Sequence, residues 1–274
     1  MKKITIAIVL MLALMLSTVG IAGAITDGVL DGDGHPMVVL ILMEVDGAPA
    51  YRCSGTLISP TVVLTAGHCT SNYPDGQYSG MRIFTESDVQ AGIGTTNNYP
   101  YGGGKYSIEA ASWAAHPLYE TGPFYLHDVG VIVLTKAVKL DTYGALPKVN
   151  QFDSFKSNKG NNYVFTAVGY GLQESFPDSA YWKTHNVKTR YVANPWLIQI
   201  NGGIAGDYSM LLSNNPNGGG TCFGDSGGAN FLYGTNVVAG ITSFGMNGNC
   251  AGTGGVFRTD RQDVLDFVGQ FLRK

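Results

Sequence analysis

Cys53-Ser54-Gly55-Thr56-Leu57-Ile58-Ser59-Pro60-Thr61-Val62-Val63-Leu64-Thr65-Ala66-Gly67-His68-Cys69 is the stretch on which the fold turns. Residues 56–58 and 62–65 are short apolar runs broken by Ser59-Pro60, the signal of a β-hairpin. The second run leads directly into Thr65-Ala66-Gly67-His68-Cys69, so an imidazole follows an apolar strand. The same pattern extends outward. Residues 37–45 form a continuous Val/Ile/Leu-rich run that reads as a buried strand. Residues 129–134, 163–168, 196–200, 236–241 and 255–257 read as further short strands, separated by turn clusters at 31–34, 101–104 and 214–218. Many short strands at modest spacing suggest barrels or a sandwich. The end of the chain differs: Asp260 is placed to cap a helix in which Val264, Leu265, Phe267, Val268, Phe271 and Leu272 recur every three or four residues. Residues 71–105 are polar and loop-rich and read as a tolerated insertion, with a functional rim as the alternative.

Composition narrows the class. The chain of 274 residues is long enough for one large domain or two small ones. Charged residues make up 14%, and there are 38 glycines and 15 tyrosines. That is low charge and about double the usual ~7% glycine, which suits a secreted β-rich protein and excludes disordered, coiled-coil and collagen-like chains. The net charge of −3 gives no basic footprint for nucleic acid. Lys2 and Lys3 precede an apolar run that weakens at Ser17 and Thr18 and ends in Ala22-Gly23-Ala24, the order of a secretory signal peptide cleaved after residue 24. The alternative is an uncleaved anchor over residues 4–21; no later run is long enough to span a membrane. Export makes two disulfides the expected state of Cys53, Cys69, Cys222 and Cys250, with three pairings open. No zinc-ligand spacing occurs and no metal or cofactor is expected. Glu86 and Asp88 read as solvated loop acids rather than calcium ligands, and no N-x-[ST] sequon is present.

Three separated segments fit one chemistry: the stretch ending in His68, then His127-Asp128 before an apolar strand, then Gly224-Asp225-Ser226-Gly227-Gly228. A serine hydroxyl is a poor nucleophile at neutral pH; it needs an imidazole to take its proton and a carboxylate to fix the imidazole tautomer. Each segment alone is weak, but together they supply His68, Asp128 and Ser226. Glycines around the serine let backbone amides converge on an oxyanion, with Gly224 and Ser226 as the donors.

These residues resemble the chymotrypsin-like (trypsin-like) serine proteases. The matching motifs are residues 53–58 and 64–69, Asp128, Gly169-Tyr170-Gly171, Cys222-Phe223-Gly224-Asp225-Ser226-Gly227-Gly228 and Ser243-Phe244-Gly245. The resemblance covers nearly all of residues 25–274 and implies an all-β fold. Two antiparallel six-stranded barrels with a C-terminal helix would hold the active site in the cleft between them. It implies His68 as general base, Asp128 as its orienting partner and Ser226 as nucleophile, with Gly224 and Ser226 forming the oxyanion hole. It also implies disulfides Cys53–Cys69 and Cys222–Cys250, and a primary pocket with Gly220 at its floor, Thr221 beside it, and Ser243, Phe244, Gly245 and Gly255 as walls. An uncharged Gly220 and the two wall glycines imply cleavage after bulky apolar or aromatic residues. Finally, it implies that the ammonium of Ile25, freed by signal cleavage, pairs with Asp225; the alternative is that residues 25 to about 36 form a short propeptide removed later.

The chain departs from the family pattern in three respects. It lacks the further bridges of the vertebrate enzymes, the interval from His68 to Asp128 is long, and no Arg or Lys precedes Ile25. The expected protein is therefore a secreted or periplasmic monomeric endopeptidase acting on protein or peptide substrates, without nucleic-acid or membrane partners after cleavage. A silent binding protein on the same scaffold and an esterase are the alternatives.

Overall fold

The structure is a computed structural model that describes residues 25–71, 78–123, 125–157, 163–173 and 186–272. The expected signal segment, residues 1–24, lies outside the described residues.

The hairpin at the centre of the sequence forms as its pattern predicts. Thr56 opposes Leu64 and Leu57 opposes Val63, with Ser59 Oγ accepting the Val62 N–H at 3.1 Å across the turn. This hairpin belongs to a closed six-stranded barrel that runs in the order Val38–Val45, Ala48–Leu57, Val62–Thr65, Gly130–Leu134, Ser107–Ala115, Gly80–Phe84. Residues 38–43 are all buried, so this strand is covered on both faces, which is why it reads as an unbroken apolar run.

A second sheet of eight strands runs in the order Val29–Leu30, Tyr191–Ala193, Phe165–Gly169, Ala229–Leu232, Val238–Gly245, Gly252–Arg258, Gly206–Asn214, Leu197–Gly202. A bridge between Val164 and Trp196 draws its last strand towards the start of Phe165–Gly169, which rolls six of the eight strands into a half-barrel. One apolar core runs through both units: Leu40, Ile41 and Leu64 of the first pack in the same cluster as Val168, Phe231 and Ile241 of the second. Buried Arg190 ties the units with polar bonds, donating to Asp31 at 2.7 Å, to Val38 O at 2.9 Å and to the Tyr170 hydroxyl at 3.2 Å.

Disulfides join Cys53 to Cys69 and Cys222 to Cys250. The C-terminal helix, Gln262–Leu272, buries Val264, Phe267 and Val268 against the first barrel. Asp260 does not cap it. Its buried carboxylate is taken instead by Arg258 at 2.8 Å and by the Phe152 N–H at 2.9 Å.

Residues 71–105 are more than an insertion, because they contain the barrel strand Gly80–Phe84. Arg82 interrupts its apolar pattern and is neutralised by Glu44 at 2.7 Å and Glu109 at 3.0 Å. Glu86 and Asp88 are not simply solvated. Glu86 accepts from the Thr96 hydroxyl and the Asn97 amide, and Asp88 caps a short helix through the Ala91 N–H at 2.9 Å.

Candidate active site

Gly130 pairs with Thr65 at the ends of their strands, which sets the segments bearing Asp128 and His68 side by side. Gly67–Cys69 winds into one 3-10 turn, and the Cys53–Cys69 bridge pins that turn to the neighbouring strand. The imidazole therefore falls against the carboxylate. Asp128 has no exposed surface, and its Oδ1 accepts the His68 backbone N–H at 2.9 Å. His68 Nδ1 lies 3.1 and 3.0 Å from the two carboxylate oxygens, and the Ser243 hydroxyl donates to Oδ2 at 2.5 Å. These donors satisfy a buried charge that would otherwise be costly. A proton held at Nδ1 leaves Nε2 with its lone pair free. The ring keeps 31% of its surface exposed. Burial acts to lower the His68 pKa, but the charge and hydrogen bond of Asp128 outweigh it, and the value stands above the usual 6.5.

The turn that aims Asp128 is held from the side. His127 adopts φ +55°, a left-handed conformation that few non-glycine residues occupy. Its ring lies 3.0 Å from Asp263 of the C-terminal helix, stacks on His116 at 4.9 Å, and meets Tyr208 at 5.0 Å. His116 Nδ1 accepts the Leu118 N–H at 3.2 Å, and the two rings are 11° from parallel.

Ser226 stands in a tight turn whose glycines are sterically required. Gly224 and Gly227 have φ of +93° and +79°. A Cβ at Gly227 would strike Thr65 Oγ1 and lie 2.9 Å from Ala66 N, the chain that leads into His68. Ser54 locks the turn in place: its N–H donates to Ser226 O at 2.7 Å and its hydroxyl to Gly224 O at 3.0 Å. Among the described residues neither the Gly224 nor the Ser226 N–H is spent on a hydrogen bond, so both are free to serve an oxyanion. Beside Ser226 opens a cavity of about 130 Å³, walled by Thr221, Phe223, Ser243, Phe244, Gly245 and the Cys222–Cys250 bridge.

A histidine, a buried aspartate and a serine in a glycine-bound turn, set between two β-barrel units, have known counterparts. The trypsin family model matches residues 32–268. The chain belongs to the trypsin family. Similar relatives include brachyurin of Leptuca pugilator, 31% identical over 73% of this chain and 78% of that protein. Serine protease 1 of Drosophila melanogaster is 27% identical over 84% of this chain and 78% of its own. Glandular kallikrein of Sus scrofa is 25% identical over 78% and 81%. Among solved structures, HL collagenase superposes with a TM-score of 0.65 at 20% identity, covering 91% of this chain and 99% of that one. A mutant of human heparin binding protein gives 0.63 at 17% identity, covering 91% and 97%. These two likenesses show the fold.

Within this trypsin-family frame two of the expected pocket residues are screened from the cavity. A Cβ at Gly220 would run into the Asn214 side chain, which donates to Thr221 O at 2.9 Å. The space above Gly255 is filled by the ring of Phe244, its partner on the adjacent strand. The expected room for a large side chain over Gly255 is thus taken by the pocket's own wall.

Ile25 is fully buried among Ala167, Tyr191 and Ala193, and Thr26 accepts the Gly220 N–H at 3.0 Å. In this uncut chain Asp225, also fully buried, accepts the Gly171 N–H at 2.7 Å and the Cys222 N–H at 2.9 Å. Burial pushes its pKa up to about 7, against the pull of those two amides and the charge of Arg52.

Sequence reasoning missed the bond from Ser243 to Asp128, the brace of His127 by Asp263, and the place of Arg52. Only Arg52 left a trace in the sequence: a cation immediately before the cysteine of the key stretch.

Proposed function

We propose that the protein is a secreted serine endopeptidase that works through an acyl-enzyme. Ser226 Oγ attacks the scissile carbonyl and passes its proton to His68 Nε2. Asp128 holds the ring and offsets its positive charge. The Gly224 and Ser226 amides take the oxyanion, and His68 then protonates the leaving amine. The observation that carries this reading is the His68–Asp128 pair, reinforced by Ser243, beside a serine whose flanking amides are unspent.

Among the described residues the pocket wall carries no ionised group, so a buried substrate cation would lack a partner there. The proposed substrates carry an apolar residue before the cut. At about 130 Å³ the cavity is slightly smaller than the ~150 Å³ void known to hold benzene, so aliphatic and Met side chains fit directly. Phe and Tyr require the Phe244 ring to turn aside.

The charged start, apolar run and small residues of 1–24, together with two disulfides, support export. Among the described residues no helix is long and apolar enough to cross a membrane. Cleavage before Ile25 is proposed to complete the site by supplying Asp225 with an ammonium. Supporting this, Ile25 holds φ +61°, a strained conformation for a β-branched residue, and cutting that bond removes the dihedral altogether.

A fluorophosphonate should label the wild type and spare Ser226→Ala. Folded Ser226→Ala should lose about 10^4- to 10^6-fold in kcat on a casein-derived peptide. Activity above a tenth of wild type in that variant would overturn the mechanism.

A further inference from the structure

Every described arginine except Arg52 has a carboxylate partner: Arg82 has Glu44 and Glu109, Arg190 has Asp31, and Arg258 and Arg261 share Asp153 and Asp260. Arg52 is partly buried beside the Tyr99 phenol, and its Nη1 is enclosed without a hydrogen-bond partner among the described residues. Asp225 feels its charge, but the two do not form an ion pair. A second cation stands close by. Lys188 Nζ lies 5.8 Å from the centre of the same Tyr99 ring, and its only described hydrogen bond is to Asn186 O, at 2.8 Å. Among the described residues neither of these neighbouring positive charges has a carboxylate in ion-pair contact; they repel each other, and a bound anion would relieve that cost.

Their position relative to the proposed chemistry is specific. A Cβ at Gly224 would lie 3.0 Å from Arg52 Nε and 3.1 Å from its Nη2, so the guanidinium rests on the backbone of the oxyanion glycine. The cavity for the acyl-side residue is lined by Ser226, Ser243 and Gly245, and Arg52 is not among its walls. A carbonyl carbon bonded to Ser226 carries its acyl substituent into that cavity. Its other substituent, the leaving amine, leads out of that cavity, on whose outside the Arg52 guanidinium rests against Gly224.

We propose that Arg52, backed by Lys188, binds a carboxylate on the leaving-group side of the scissile bond. The enzyme then favours peptides with Asp or Glu one or two residues after the cut, or a free C-terminal carboxylate at that distance. Arginine suits the task because its planar fork takes a carboxylate by two parallel hydrogen bonds. This inference rests on the peptidase reading above.

The test uses the active enzyme and peptides identical before the cut. After it they carry Asp or Glu, their amides Asn or Gln, or Lys, each with a free or an amidated C-terminus. The readout is the ratio of kcat/KM for acid over amide. In wild type that ratio should be about tenfold, the order expected of a charge-assisted hydrogen bond, and should shrink in 0.5 M salt. Arg52→Gln should bring it close to one, and Lys188→Gln should lower it by less. An advantage confined to free C-termini assigns the site to a terminal carboxylate; an advantage kept in amidated peptides assigns it to a side chain. A wild-type ratio near one overturns the proposal, as does Arg52→Gln slowing every substrate equally with the ratio intact. Should Arg52→Gln fail to fold, Arg52→Lys, which keeps the charge but loses the fork, must still lower the ratio. A wild type that resists fluorophosphonate labelling overturns the peptidase reading itself, which separates the two failures.

Discussion

Asp128 and Asp225 are both wholly buried beside the proposed catalytic centre, and the chain partners them in opposite ways. Asp128 is served by side chains, the His68 ring and the Ser243 hydroxyl, as well as by one backbone amide. In the proposed mechanism its countercharge is the His68 imidazolium formed during turnover. Among the described residues Asp225 is served by two backbone amides alone, and Arg52 acts on it from beyond ion-pair distance. The first carboxylate is complete in the uncut chain, whereas the second is held in shape but lacks a charge. In the proposed mechanism one aspartate is thus built for turnover and the other for maturation.

The largest expected effect breaks the first partnership. Asp128→Asn keeps the shape but lets the His68 ring adopt the wrong tautomer, and kcat should fall about 10^4-fold in a folded protein. Stopped assays against peptide, with circular dichroism as the folding control, decide this. Because Asp128 raises the His68 pKa, the acid limb of the wild-type kcat/KM profile should lie above pH 6.5.

The second prediction addresses Asp225. In the unfolded chain it loses its proton near 3.8, and in the folded uncut chain near 7. The folded state therefore binds the extra proton between those values, and stability declines as pH rises through that window, by about 4 kcal/mol across it. A chain that begins at Ile25 supplies an ammonium, lowers the Asp225 pKa and flattens the decline. Urea midpoints at several pH values, with and without a residue before Ile25, measure the difference; equal slopes would contradict the pairing.

A smaller effect follows from Ser243→Ala, which removes one donor from a buried carboxylate. The expected cost is about 1–3 kcal/mol of stability with a modest loss of kcat, read by urea melts. Smallest is Asp263→Asn, because that carboxylate is 35% exposed. A stability change below about 1 kcal/mol is expected at pH 6.

Much of this was legible in the sequence because the chemistry is local. The hairpin around Ser59-Pro60, the turn at Gly224–Gly228 and the apolar run at 38–43 each declare themselves within a few residues. The parts that stayed hidden are pairings over long separations. Strand Gly80–Phe84 was obscured because Arg82 looks like a loop residue until Glu44 and Glu109 arrive from neighbouring strands. Asp260 looked like a helix cap because its true partners, Arg258 and Phe152, meet it only in the folded chain. Gly255 suggested space, since nothing in the sequence shows that Phe244 on the adjacent strand would fill it.

Ser54 binds Ser226 and Gly224 across a separation of about 170 residues, and its hydroxyl also accepts the Tyr170 N–H at 3.0 Å. His68 and Asp128 belong to the first barrel and Ser226 to the second, so a nascent chain with one unit folded holds only part of the proposed reaction centre. Such contacts between distant parts of the chain form late in folding. In the proposed mechanism, competence to cut peptides appears only once the whole molecule has closed around Ser54.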